Sequence, residues 1–204
     1  MKEILCFGDS NTFGFIPGSG QRYNKTERWS GILSGLLSEN YRIIEAGCNN
    51  RTAFCPNPEG DLFTGTKAIL PYLDSHRNLD LIILALGSND LQFSYKLSTE
   101  EIYKGIKSFI KLIKNNSNAK ILLVSPSIIK HNVLDTFFAE MFDESSIQKS
   151  KTLPEIYKKI SEEENILYID LNNIAQTSDT DGLHYTKEAH KLIADAIARQ
   201  IKNL

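Results

Sequence analysis

Apolar residues recur along this chain in two alternating periods, and the alternation predicts its elements. Residues 2–7 form a short, largely apolar run that predicts a buried strand, and residues 41–45 predict a second. Residues 79–86 are almost continuously apolar, as suits a strand covered on both faces in a parallel sheet. Residues 120–124 and 166–170 supply a fourth and a fifth strand. Between these runs the period changes to that of a helix. Trp29, Ile32, Leu33, Leu36 and Leu37 predict a helix starting near residue 28, and residues 66–73 predict a short one. Ile102, Ile106, Phe109, Ile110 and Ile113 mark one face of a third, opened by a capping box of Ser98 and Glu101. Another helix is predicted through Tyr157, and Thr186 caps a last one reaching about Ile201. Residues 127–150 are longer than an ordinary connection, which suggests a functional insertion. Within them Leu134, Phe137, Phe138, Met141 and Phe142 are spaced as one helical face.

Strands alternate with helices from end to end, with no repeat, low-complexity segment or linker. One α/β domain spanning 1–204 is expected, a three-layer α/β/α sandwich around a mostly parallel five-stranded sheet. Right-handed crossovers would place every strand's carboxyl end on the same edge.

Composition narrows the function. The 204 residues are 41% hydrophobic and 24% charged, ordinary for a globular protein. A net charge of -2 offers no electrostatic case for nucleic acid. No apolar run approaches the roughly 18 residues that would cross a bilayer. The charged first strand leads straight into the turn described below, so no signal peptide is expected there. Three cysteines (Cys6, Cys48, Cys55) cannot all pair and match no zinc spacing. Free thiols in a reducing cytoplasm are the expectation.

Four polar, turn-rich segments are expected on the carboxyl edge of the sheet. Gly8-Asp9-Ser10-Asn11 follows the first strand, and Gly47-Cys48-Asn49-Asn50-Arg51-Thr52 follows the second. Gly87-Ser88-Asn89-Asp90 follows the third, and Asp181-Gly182-Leu183-His184 precedes the last helix. Acyl transfer needs such a set. A serine hydroxyl becomes nucleophilic when an imidazole takes its proton, and Ser10 and His184 supply the pair. Asp181, three residues before His184, can hold Nδ1 and leave Nε2 facing Ser10. The Asn89 amide, the Ser10 N–H and a backbone N–H of the second segment are candidate oxyanion donors. Each residue also has a plainer reading: Ser10 as a helix cap, Asn89 as a turn former, His184 as a surface histidine. His76, His131 and His190 lack an aspartate three residues earlier at a loop–helix junction.

These segments resemble sequence blocks of the GDSL or SGNH hydrolase family, in the family's order and along the whole chain. The likeness is nearest to its arylesterase and perhydrolase branch. It is carried by Ile4-Leu5-Cys6-Phe7-Gly8-Asp9-Ser10, Arg28-Trp29-Ser30-Gly31, Arg51-Thr52 and Asp181-Gly182-Leu183-His184-Tyr185-Thr186. The resemblance implies a flavodoxin-like sheet and a serine esterase that needs no cofactor. One block departs from the pattern. Where many members have a glycine whose N–H faces the oxyanion, this chain has Asn50, while Gly47 matches an earlier glycine. Asn50 N–H is expected to serve, since a backbone donor survives any side chain but proline and Asn tolerates positive φ.

The expected activity is hydrolysis of short-chain acyl esters, with Phe13, Gly47 and Arg51 as candidate substrate-binding residues. The resemblance to perhydrolases implies that peroxide or an alcohol competes with water for the acyl-enzyme. A carbohydrate O-acetylesterase is the alternative of the same chemistry, and a non-catalytic binding module that of another class. Asp9, Asp90 and Asp181 also raise a metal-dependent phosphatase, although Asp9 is expected to order its turn and Asp181 to hold His184. Perhydrolases of the branch associate, so a homo-oligomer is one state the resemblance implies.

Overall fold

The computed structural model describes residues 1–203. The chain opens with β1 (Lys2–Gly8) and the four-residue helix α1 (Ser10–Phe13). It continues through α2 (Trp29–Leu37), β2 (Tyr41–Gly47), α3 (Gly65–Ser75), β3 (Leu81–Ala85) and α4 (Thr99–Asn116). β4 (Lys120–Ser125), α5 (Glu144–Ser150), α6 (Leu153–Glu164), β5 (Leu167–Asp170) and α7 (Lys187–Lys202) complete it.

All five strands are parallel, in the order β2-β1-β3-β4-β5. The sheet winds outward from β1 to β2, then returns to the other side of β1 with β3. A doubly wound sheet opens a crevice where the winding reverses, outside the carboxyl ends of β1 and β3. Gly8 sits at that point, paired with Gly47 on one side and Ala85 on the other.

The two-residue period of each strand divides the interior into two cores. Leu5, Phe7, Ile82, Leu84, Ile121 and Leu123 face α3, α4 and α6. Ile4, Cys6, Leu81, Ile83, Leu122 and Val124 face α2 and α7. A fully buried Leu, Ile or Phe contributes about 1.5–3 kcal/mol, so burial on both faces holds the sheet between its helices. The α4 face is as its spacing predicts, with Ile102, Ile106, Phe109, Ile110 and Ile113 all buried. The Ser98–Glu101 capping box closes its N-terminus.

Several boundaries differ from expectation for local reasons. β3 covers 81–85 rather than 79–86; just past its end the Leu86 carbonyl accepts from the Tyr157 hydroxyl at 2.6 Å instead of from a neighbouring strand. Leu36 of α2 is exposed, outside the buried stripe of Trp29, Leu33 and Leu37. The expected helical face over 134–142 does not form. That stretch is two 3₁₀ turns, His131–Asp135 and Phe137–Glu140. Thr136 interrupts them, its hydroxyl accepting from Phe138 N–H at 3.2 Å. Phe137 is therefore 69% exposed and Phe142 only 1%, so the two do not share one buried face.

Cys6, Cys48 and Cys55 are unpaired. No helix among the described residues is long and apolar enough to cross a membrane.

Candidate active site

The first segment is built by close approach. A Cβ on Gly8 would lie 2.0 Å from Thr12 Oγ1 and 2.7 Å from the Ala85 carbonyl, so only glycine lets β1 turn into α1 beside β3. Asp9 caps the turn, its Oδ1 accepting from Asn11 N–H at 3.0 Å. Burial pushes the Asp9 carboxyl up to about 7, against that hydrogen bond and the nearby Arg51 charge. Ser10 follows at the start of α1, 8% exposed.

The fourth segment folds around one carboxylate. Asp181 Oδ1 accepts from the N–H groups of Leu183 (3.1 Å) and His184 (3.0 Å) and from the Ser178 hydroxyl (3.0 Å). Asp181 Oδ2 lies 2.8 Å from His184 Nδ1. Burial raises the Asp181 carboxyl, but the hydrogen bonds and charge of His184 outweigh it and hold the pKa at about 2. Asp181 is thus ionised, and Nδ1 carries the proton it donates. Gly182 makes the tight return possible at φ +69°, where a Cβ would press on Val133 N and the Lys130 carbonyl.

With Nδ1–H committed to Asp181, Nε2 presents its lone pair to Ser10 Oγ, 3.0 Å away. Ser10, His184 and Asp181 therefore form one hydrogen-bonded series across 171 to 174 positions of sequence, and all three are buried. Asn11 stitches the two segments together: its Nδ2 donates to the Leu183 carbonyl (3.2 Å) and its Oδ1 accepts from Tyr185 N–H (3.1 Å).

The second and third segments close the other side. Asn89 is buried and its Nδ2 donates to the Arg51 carbonyl at 3.0 Å. Asn50 has a left-handed backbone, φ +57°. Asp90 turns away from the crevice and accepts from Ala53, Phe54 and Cys55 N–H at 2.5, 3.0 and 3.1 Å. A cleft of about 280 Å³ opens above these groups. Ser10, His184, Asn49, Asn50, Glu59 and Asn89 form its polar side; Phe15, Phe137, Phe138, Met141, Phe142 and Leu183 form its apolar side.

The model of the GDSL-like lipase/acylhydrolase family matches residues 6–192. The chain belongs to that family. Two solved structures place this GDSL-like hydrolase among esterases. It is 28% identical to a carbohydrate acetylesterase from Sinorhizobium meliloti, with a TM-score of 0.93, covering 100% of this chain and 99% of that one. It is 26% identical to the native aryl esterase of M. smegmatis, with a TM-score of 0.92 and 100% of each chain covered. No curated protein matches it by sequence. The family and these neighbours make the chain a carboxylic ester hydrolase.

Three expected substrate contacts of this hydrolase lie elsewhere. Phe13 does not line the cleft; its ring carries the Arg22 guanidinium at 4.4 Å. Gly14, left-handed at the end of α1, redirects the chain so that Phe15 takes the place beside His184. Gly47 is pressed against α1, where a Cβ would lie 2.1 Å from Phe13 N. Arg51 is buried beneath the second segment. Its guanidinium donates to the carbonyls of Gly8 (3.1 Å), Ala46 (2.6 Å) and Leu62 (3.2 Å). It fixes the segment's backbone and does not meet the cleft. Asp9, Asp90 and Asp181 do not converge, and no group of three metal-ligating side chains is found among the described residues.

Asn11 and Gln92 also belong to the site. The polar run after β1 marks Asn11 as a turn residue, but its docking partner is 172 positions away. Gln92 follows the third segment and carries no motif signal.

Proposed function

We propose that this hydrolase cleaves short-chain acyl esters through a Ser10-His184-Asp181 triad and an acyl-enzyme. Ser10 Oγ attacks the acyl carbon as its proton passes to His184 Nε2. Asp181, ionised because its pKa is about 2, keeps the imidazole in the productive tautomer and stabilises the imidazolium. The carbonyl oxygen becomes an oxyanion held by Ser10 N–H, Asn50 N–H and Asn89 Nδ2, each donor worth about 3 kcal/mol of barrier. Collapse breaks the bond to the alcohol oxygen, which takes the proton from His184. Water then attacks the acyl-serine, giving its proton to His184, and the acid leaves as Ser10 regains its own. No cofactor takes part in these steps.

The single observation carrying this reading is the pair of distances about one imidazole, 3.0 Å to Ser10 Oγ and 2.8 Å to Asp181 Oδ2. A fluorophosphonate should label wild-type Ser10, and Ser10→Ala should abolish both labelling and hydrolysis of p-nitrophenyl acetate. Full activity in that variant would remove Ser10 from the mechanism.

The cleft's two sides bear on substrate. The aromatic side suits a short acyl group and limits water, so transfer to an added alcohol or to peroxide accompanies hydrolysis. The polar side of Asn49, Asn50 and Glu59 supports a second reading, removal of acetyl groups from sugars. The similarity to the Sinorhizobium meliloti carbohydrate acetylesterase points the same way. Acetate released from acetylated sugars, set against that from aryl acetates, separates the two. Three unpaired thiols support a reducing compartment such as the cytoplasm.

A further inference from the structure

Gln92 lies two residues beyond the third segment, 8% exposed, and its side-chain amide bridges the two asparagines proposed to face the oxyanion. Its Nε2 is 2.9 Å from Asn50 Oδ1 and 3.4 Å from Asn89 Oδ1. An amide nitrogen has two hydrogens, so one group can serve both acceptors.

The consequence for Asn89 is an orientation. Its Oδ1 faces the Gln92 donor and its Nδ2 faces the Arg51 carbonyl at 3.0 Å. Turning the amide over would set donor against donor and oxygen against oxygen, so the second Nδ2 hydrogen is left for the cleft. The consequence for Asn50 is a backbone shape. Its Oδ1 is held by Gln92 and its Nδ2 by the Glu59 carboxylate, while Asn57 Nδ2 donates to its carbonyl at 2.8 Å. These ties hold a non-glycine residue at φ +57°, a left-handed conformation that most side chains other than Asn and Asp resist.

We infer that Gln92 is the positioning residue of this site, one amide that aims the Asn89 side chain and holds the left-handed Asn50 from which a backbone donor faces the cleft. Gln92 does not touch the substrate; it acts through the two asparagines. This rests on the oxyanion reading of Asn50 and Asn89 above.

The test is a cycle on p-nitrophenyl acetate with the full chain: wild type, Asn89→Ala, Gln92→Met and the double variant. Met keeps the length of the side chain and removes both donors. Asn89→Ala should lower kcat about 100-fold, the typical loss for an oxyanion donor. Gln92→Met should lower kcat about tenfold, the size of effect that one lost hydrogen bond has when it acts on the barrier, with KM within about threefold of wild type. In the Asn89→Ala background the same change should have a clearly smaller effect on kcat, because no amide remains there to aim. An equal loss in both backgrounds, or wild-type kcat in Gln92→Met, overturns the inference. If Asn89→Ala itself keeps full kcat, the oxyanion reading falls instead. Should Gln92→Met not fold, Gln92→Glu replaces it in the cycle; a failure of both to fold makes Gln92 structural and also overturns the inference.

Discussion

The Phe15 ring lies against the His184 imidazole, with centroids 4.2 Å apart and planes 26° from parallel. Phe138 packs on the same imidazole at 5.1 Å and on Phe15 at 6.2 Å. The proposed base is thus held from two directions, by the Asp181 carboxylate at Nδ1 and by aromatic faces on its ring.

Loss of the Phe15 ring should loosen the imidazole without removing any reacting group. Aromatic pairs contribute about 0.5–1.5 kcal/mol, so Phe15→Ala should lower kcat by up to about tenfold, with Phe15→Leu between it and wild type. Steady-state kinetics on p-nitrophenyl acetate check this. A kcat unchanged in both variants would show that the stack is only packing.

Removing the charge that orients His184 should be far more severe. Asp181→Asn keeps the size of the side chain but leaves the imidazole free to take the wrong tautomer, and kcat should fall by about 10⁴-fold. The comparison is against Ser10→Ala in one assay. A loss smaller than about tenfold would mean that the 2.8 Å contact does not set the tautomer.

Arg51 should govern stability. Arg51→Met removes the hydrogen bonds from a charged donor to the carbonyls of Gly8, Ala46 and Leu62, and such bonds contribute about 1.5–3 kcal/mol each. A loss of about 3 kcal/mol or more is expected in urea unfolding. An unfolding midpoint equal to wild type would contradict the buried bracing role.

His190 should make the fold acid-sensitive. It is buried beside Tyr23 and Tyr185, and its Nδ1 accepts from Trp29 N–H at 3.3 Å. Burial, helped by nearby His184, pushes its pKa from 6.5 down to about 3. Between those values the unfolded chain takes a proton that the folded protein refuses. The stability His190 contributes is therefore complete above pH 6.5 and lost as pH falls towards 3. His190→Gln removes the titration, so its urea midpoint should fall less steeply than that of wild type between about pH 6.5 and 4. Parallel slopes would rule the effect out.

Where the sequence misleads, the cause is geometry over a few residues. Phe13 and Phe15 are equally aromatic and two positions apart; the left-handed Gly14 between them decides which one reaches His184. Over 134–142 the apolar spacing is that of a helix, but Thr136 breaks it into two tight turns. Those turns nevertheless bring Phe137, Phe138, Met141 and Phe142 to the cleft. Arg51 looks like a substrate contact because it is charged and lies in a motif. Its destination is set by the Gly8 and Ala46 carbonyls, brought side by side at the ends of β1 and β2, where one guanidinium nitrogen reaches both.

Hydrophobic period and turn chemistry are local properties, so the sequence alone determined the alternation of strands and helices, the parallel sheet and the edge on which its polar loops gather. The four blocks carried there also made the esterase family legible. Only the tertiary structure decided how closely Ser10 and His184 approach, which aromatic residues wall the cleft, and that Gln92 ties Asn50 to Asn89. Those relations join positions up to 174 apart. They depend on how each crossover closes and how side chains pack against one another, and no spacing along the chain encodes that.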